Sequence, residues 1–354
     1  MKKICKSFIC LLLILGQLVF ITGCSKKEDN KDDKVTVLSA TSFSYFDTVS
    51  KIFTYANDGK ETFQKNCSEI DKLLNEYHQL FDIYYEYSGV TNLCTINKNA
   101  GGEPLVVDQK LIDFLLYCKD IYTLTNGETN PMLGSVLKLW HDARTLASTN
   151  PEAAYVPSMD DLQAAYEHTS IDLLEINDED NTVRITDKNA RIDVGALGKG
   201  YATEKAAQLL IKKNVSSYVL NIGGNIRIIG TKLDGKGWIT GITDPHNSNN
   251  YALYTELSNT SCVTSGDYER YFTVDNIRYH HIIDKDTLMP ANYFSSVTII
   301  TQDSGLADAL STALFTMDYE SGLALINSLD NVEAFWIEKD GTQHLSDGIV
   351  PIKR

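Results

Sequence analysis

The chain has 354 residues, 43% of them hydrophobic, which is enough to bury a large core in one or two domains. Its formal net charge of −15 argues against a nucleic-acid partner, because phosphate contacts need a basic patch. The acidic balance otherwise describes a solvated surface and carries no functional weight.

The first element is a targeting segment. Lys2, Lys3 and Lys6 precede the apolar run "FICLLLILGQLVF", which is too short and too early for a mature transmembrane span. "ITGC" follows, and a small residue before a cysteine at this point resembles a bacterial lipobox. Residues 1–23 are therefore expected to be a lipoprotein signal peptide. Cleavage would leave Cys24 carrying diacylglycerol, anchoring the chain to the extracytoplasmic face of the cell membrane. An uncleaved signal anchor is the alternative. Residues 24–34, with "SKKEDNKDDK", are charged, lack apolar residues and read as a tether. Residues 35–354 form the functional domain. Beyond the leader and lipobox the cysteines are Cys67, Cys94, Cys118 and Cys262; they lack CxxC or zinc-like spacing and read as isolated thiols, with one or two disulfides as the alternative.

"VTVLSATSF" and "TVSKIFTYA" read as strands. "ETFQKNCSEIDKLLNEYHQLF" is an amphipathic helix with Phe63, Ile70, Leu73, Leu74, Tyr77 and Leu80 on its apolar face. "DQKLIDFLLYCKDIYTLT" is a second helix. "PMLGSVLKLW" continues helical, with Pro131 placed to start it, and residues 141–160 read as a polar loop. Short strands and helices then alternate to the end. "SSYVLNIGGNIRIIG" reads as two strands broken at Gly223 and Gly224. The fold class expected is α+β, without Rossmann order.

Two segments draw chemical interest. In "DVGALGKGYATEKAAQLL" a strand is expected to end at Asp193, with a glycine-rich turn after it and a helix starting near Lys199. Glycines permit close ligand approach, and a helix N-terminus favours an anion. The spacing fits neither a P-loop nor GxGxxG, so an anion site and a purely structural turn both stay open. In "DSGLADALSTALF", Asp308 and Thr312 are four residues apart on one helical face amid Ala and Leu. A buried carboxylate needs a partner. One carboxylate and one hydroxyl suit a hard cation; bonding of Asp308 to nearby backbone amides is the plain alternative.

"DVGALGKGYATEKA", "LNIGGNIRIIG", "TSGDYERYF", "HHIID" and "ADALSTALF" occur in the order and spacing of the ApbE family, and the resemblance runs from about Ser42 to the C-terminus. It implies an ApbE-type, T-fold-like arrangement of mixed sheets with packed helices and a flavin site in a cleft between subregions. It implies an FAD:protein FMN transferase that splits FAD with magnesium, joins FMN to a threonine hydroxyl of an acceptor protein by a phosphoester, and releases AMP. The implied acceptor is an electron-transfer subunit, such as one of an Rnf or sodium-pumping NADH:quinone oxidoreductase type complex. By motif, Asp308, Thr312 and the Ala196 carbonyl match metal ligands, and Ser311 lies where some members have another oxygen ligand. Asp193 and Lys199 match flavin-nucleotide contacts. Phe46, Tyr87, Glu128, Thr129 and Asn130 match weaker upstream positions of the flavin site.

The attacking threonine must lose a proton, and histidine suits that task near neutrality. His78, His141, His168, His246 and His344 read as surface or packing residues. His280 and His281 are expected on one strand, facing opposite ways; the resemblance selects His281 as the base and leaves His280 a packing or solvent role. There are departures from the family. "FDT" at 46–48 replaces Met-Gly-Thr, Asn130 replaces Asp, and "HIIDKDTLMP" replaces HIIDPxTGxP, with Lys285 for Pro and Leu288 for Gly. A turn with different backbone demands is expected at the last, and the Phe46 and Asn130 changes are expected to alter flavin affinity. Two other functions stay open: a magnesium-dependent FAD pyrophosphatase giving FMN and AMP, and a non-catalytic FAD-binding lipoprotein.

Overall fold

A computed structural model describes residues 36–42, 44–55 and 59–353. The expected signal peptide, Cys24 and the expected tether lie outside these residues. Among the described residues, fifteen strands and eight α-helices alternate. Eight strands form one sheet in the order β1-β2-β6-β7-β10-β13-β14-β15. These are Val37–Ser42, Ser50–Tyr55, Ser217–Ile222, Asn225–Gly230, Ser261–Gly266, Phe294–Thr301, Glu333–Glu338 and Gln343–Leu345. Every neighbouring pair is antiparallel, so the fold is a mixed α and β one without a Rossmann crossover.

The long connection from β2 to β6 carries α1 (Lys60–Phe81), α2 (Leu93–Lys98), α3 (Gln109–Leu124), α4 (Gly134–Thr149), α5 (Met159–Tyr166) and α6 (Gly198–Ile211). It also carries a three-stranded sheet of β3 (Leu105–Val106), β5 (Thr182–Ile185) and β4 (Leu174–Asn177). Two hairpins stand apart from the main sheet: β8 (Trp238–Asp244) with β9 (Asn247–Leu257), and β11 (Tyr271–Val274) with β12 (Ile277–His280). Helices α7 (Ser304–Thr316) and α8 (Tyr319–Asn327) follow β13.

The central strands explain themselves by period two. Val263, Val297, Ile299, Ala334 and Trp336 share a core with α7, while Cys262, Ile300, Phe335 and Ile337 share another with Ile242, Leu253 and Leu257 of the β8–β9 hairpin. The sheet is thus covered on both faces here, which is why β13 is buried along its whole length, Ser295, Ser296, Thr298 and Thr301 included. Helix α1 turns Phe63, Ile70, Leu74, Tyr77 and Phe81 into the largest core, against α3 and α6.

Three local expectations need correction. Residues 141–149 continue α4 rather than forming a loop, and α5 begins at Met159. Trp140, Ala143 and Ala147 make a buried stripe at helical spacing, and Pro151 ends the helix two residues on by excluding helical backbone before it. Pro131 lies in the turn before α4, not at its first position. No strand ends at Asp193: the extended segment makes one isolated bridge, Arg191 with Leu133. Its amides are held instead by the Asn97 side chain at Ile192 (2.8 Å) and the Pro131 carbonyl at Asp193 (2.8 Å).

The turn at 284–290 also differs from expectation. Leu288 stands where the family pattern has glycine, yet it keeps a left-handed backbone, φ 58°. The backbone demand is unchanged, and a branched residue meets it at a cost of order 1–3 kcal/mol. Burial of the Leu288 side chain beside Trp140, whose indole N–H donates to the Leu288 carbonyl at 3.0 Å, offsets that cost. Asp47, at the other lost glycine, is likewise left-handed, φ 51°; Asp tolerates this region better than most side chains. Asp47→Gly should therefore hold or raise stability in urea denaturation, and Asp47→Val should lower it by about 1–2 kcal/mol.

Candidate active site

The starts of α6 and α7 meet at the bottom of a cleft of about 1180 Å³. Helix α6 has no side-chain cap at Leu197, so its first-turn amides need outside acceptors. The Gly200 amide donates to Asp308 Oδ2 at 2.7 Å, and Asp308 lies one turn inside α7. In return the Ser304 amide of α7 donates to Glu204 Oε2 at 3.1 Å, nearly two turns inside α6. Each helix thus supplies an acid to the other's N-terminus, where the helix dipole favours negative charge. Only glycine fits at 200: a Cβ there would lie 2.3 Å from the Asp308 Cβ and 2.5 Å from the Ser304 carbonyl oxygen. Arg227 on β7 donates to Glu204 at 2.9 Å, and both side chains are buried, so the pair ties the helices to the sheet.

Asp308 is 5% exposed. Its Oδ2 is committed to Gly200, whereas Oδ1 has the Lys199 ammonium at 3.8 Å. Thr312 lines the cleft one turn later, its hydroxyl 3.3 Å from Ser265 Oγ. Ala196 lines the same cleft in the glycine-rich turn. Ser311 does not: it is fully buried, and its hydroxyl is taken up by Ser265 Oγ (2.8 Å) and the Asp308 carbonyl (2.9 Å). Among the described residues no cluster of three His, Cys, Asp or Glu side chains could hold a metal. One free carboxylate oxygen, a hydroxyl and a turn carbonyl are an oxygen-only donor set, which fits a hard cation completed by water or phosphate.

The other sequence candidates also reach the cleft. Asp193 Oδ1 accepts from the Gly195 amide at 2.9 Å and fixes the turn. Lys199 Nζ donates to Asn225 Oδ1 at 3.2 Å, so Lys199 stands between Asp308 and the "NIGGN" turn. Phe46 packs edge-on against His78, and the Tyr87 hydroxyl donates to Asp82 at 2.8 Å. Burial, then that carboxylate, pushes the Tyr87 pKa up to about 12.

Glu128, Thr129 and Asn130 spend their side chains on structure. Thr129 Oγ1 donates to the Ala309 carbonyl (3.0 Å), and Asn130 bridges the Thr169 carbonyl (3.0 Å) and the Met132 amide (2.8 Å). Glu128 takes the Thr316 hydroxyl (2.9 Å) and Lys285 (3.2 Å). Lys285, the residue in place of the family proline, therefore pins its loop to this segment.

Strand β12 ends at His280, so His281 lies in the bend after the strand rather than on it. His280 is buried, with Nε2 2.8 Å from the Ala291 carbonyl and its ring edge-on to Phe315. His281 Nδ1 is 3.2 Å from the Arg270 carbonyl. A carbonyl only accepts, so Nδ1 carries the hydrogen and Nε2 keeps its lone pair. Burial, then the Arg270 and Arg144 charges, push the His281 pKa down to about 3.

The cleft also contains side chains not singled out from the sequence. His78 and His141, read there as surface or packing residues, both line it, with Tyr84, Arg144 and Arg270. The signal available was the aromatic tract "FDIYYEY" after α1. His141 and Arg144 are obscured in the sequence because residues 141–160 read as a polar loop, whereas the helix begun before them continues to Thr149.

The sequence matches the ApbE family over residues 46–336. It is 32% identical over 320 residues to an FAD:protein FMN transferase of Treponema pallidum, covering 86% of this chain and 85% of the relative. It is 29% identical over 318 residues to one of Vibrio cholerae, covering 89% of each. The fold is similar to the crystal structure of the ApbE protein of Thermotoga maritima, with a TM-score of 0.78, 28% identity, and coverage of 88% of this chain and 97% of that one. It is also similar to the flavin transferase ApbE of Vibrio cholerae, with a TM-score of 0.74, 26% identity, and coverage of 88% and 98%.

The helix contact makes a stability prediction. Gly200→Ala should lose about 1–3 kcal/mol from overpacking, read by urea denaturation. Gly198→Ala, whose added Cβ meets only the Phe81 ring edge at 3.2 Å and Val194 and Phe81 side-chain carbons further out, should lose less. Equal losses would show that the α6–α7 contact is not the tight one.

Proposed function

The chain belongs to the ApbE family, and from that premise we propose that it transfers FMN from FAD to a threonine hydroxyl of an acceptor protein, with magnesium and with release of AMP. The observation that carries this reading is the held carboxylate of Asp308 opening onto the same cleft as His281. Asp308 Oδ1, Thr312 Oγ1 and the Ala196 carbonyl would hold the cation. When bound, it would supply positive charge to the diphosphate and to the departing phosphate. Lys199, 3.8 Å from Asp308 Oδ1, is free to turn to a phosphate oxygen once that charge is met.

The residues of the chain then have distinct tasks. The threonine Oγ attacks the FMN-side phosphorus, the bond from that phosphorus to the bridging oxygen breaks, and AMP leaves with that oxygen. His281 Nε2 takes the hydroxyl proton. The low pKa keeps His281 neutral at physiological pH, with Nε2 open to a proton, but also makes it a weak base, so transfer would need its proton affinity to rise when substrate is bound. Asp193 and the glycine-rich turn keep backbone close to the nucleotide, and Phe46 and Tyr87 offer aromatic surface to the flavin.

The basic start, apolar core and "ITGC" support diacylation of Cys24 and an extracytoplasmic membrane anchor. Among the described residues no helix is long and apolar enough to cross a membrane. The acceptor class that fits such a location is a membrane electron-transfer subunit of the Rnf or sodium-pumping type.

Incubation with FAD, magnesium and an acceptor domain, read by protein mass, tests the transfer. Wild type and His280→Ala should add one FMN to the acceptor, and His281→Ala should lose most of that addition while still binding FAD. Free FMN and AMP with an unlabelled acceptor would mean hydrolysis instead. A dead His280→Ala with an active His281→Ala would move the base to the other ring.

The low pKa also has a sign. Between about 3 and the ordinary 6.5, the unfolded chain holds a proton on His281 that the folded chain does not. Stability should therefore fall as pH drops through this window, and stay fully present above it. His141 and His280 are shifted the same way, each first by burial. His281→Gln should reduce the loss measured by denaturation at pH 5 against pH 7; an unchanged acid loss would contradict the assignment.

A further inference from the structure

Arg144 on α4 and Arg270 before β11 both line the cleft around His281. The ion-paired arginines among the described residues are Arg184, Arg227 and Arg278. Arg144 and Arg270 have no such partner, although Asp193 and Glu269 line the same cleft. Arg144 is half-buried, and its Nη2 lies 3.1 Å from His141 Nδ1. The Tyr84 hydroxyl lies 3.3 Å from that same nitrogen, with its ring 5.0 Å from the imidazole. Tyr84 and His141 therefore set the direction of the guanidinium. Arg270 is anchored by its own backbone, whose carbonyl accepts from the His281 amide at 3.1 Å.

Two guanidinium charges that share a cleft raise each other's free energy. Burial and then Arg270 push the Arg144 pKa down, and both charges act on His281. An anion seated between them would remove that repulsion. Guanidinium suits a phosphate, because its planar fork can give two parallel hydrogen bonds.

We propose that Arg144 and Arg270 form an anion subsite beside His281 that takes a phosphate of the flavin dinucleotide. The inference rests on the transferase reading above, and adds to it a cationic contact separate from Lys199 and the cation site. It also couples binding to chemistry: phosphate charge at the arginines offsets their field at His281, and the imidazole gains proton affinity when substrate is present.

The test uses the purified full chain with EDTA, so that no cation bridges the ligand. Affinities for FAD, FMN, AMP and riboflavin are measured by calorimetry or flavin fluorescence. Arg144→Gln and Arg270→Gln should each weaken FAD, and FMN or AMP, by roughly tenfold or more, the range expected for a charged hydrogen bond. Riboflavin, which has no phosphate, should bind as before. Equal weakening of riboflavin, or unchanged affinity for every phosphate ligand, would overturn the subsite. Arg270→Gln is the safer variant, since that side chain is exposed and outside the core. Wild type that binds no FAD would instead overturn the transferase reading on which the subsite depends.

Discussion

Two helix N-termini accept each other's carboxylates, and the site depends on that exchange. Gly200 donates to Asp308 and Ser304 donates to Glu204. Arg227 then carries the charge of Glu204 into the sheet. Breaking a buried pair of this kind leaves an uncompensated charge, at a cost of about 3–5 kcal/mol. The exchange fixes the glycine-rich turn over α7 and leaves one Asp308 oxygen facing Lys199 and the cleft. Backbone bonding of Asp308 and a cation role are therefore not alternatives. The first holds the carboxylate still, and the second would use the oxygen that remains.

The turns at the cleft show the same economy. Asp47 and Leu288 stand where the family pattern has glycine, yet both keep the left-handed backbone. The fold has kept the shape of these turns and changed the side chains, with Leu288 filling a core beside Trp140. Lys285 follows this logic, since its ammonium reaches Glu128 and holds the loop from outside. Substitution has changed what the loops present more than where they run.

Much of this was legible in the sequence, for reasons that differ by element. Helix α1 and strands β6 and β7 announced themselves through apolar period and the glycine break. Asp308 and Thr312 stood out as polar residues inside an apolar run. The α4 extension was hidden because Ala143 and Ala147 are weak apolar signals among Ser, Thr and Asn. Ser311 matches a position where some family members have another oxygen ligand, but here it turns toward Ser265 and away from the cleft. His141, Arg144 and Arg270 could not be found by spacing, because only the tertiary fold brings α4 beside the end of β12.

We propose that the Asp308 carboxylate, steadied by Gly200, is the protein's cation ligand. Manganese, as a spectroscopic substitute for magnesium, can be titrated with ADP present and followed by electron paramagnetic resonance. Wild type should bind it in a saturable way, and Asp308→Asn, which keeps an acceptor for the Gly200 amide, should lose that binding while staying folded. Manganese binding that is unchanged in Asp308→Asn would contradict the account.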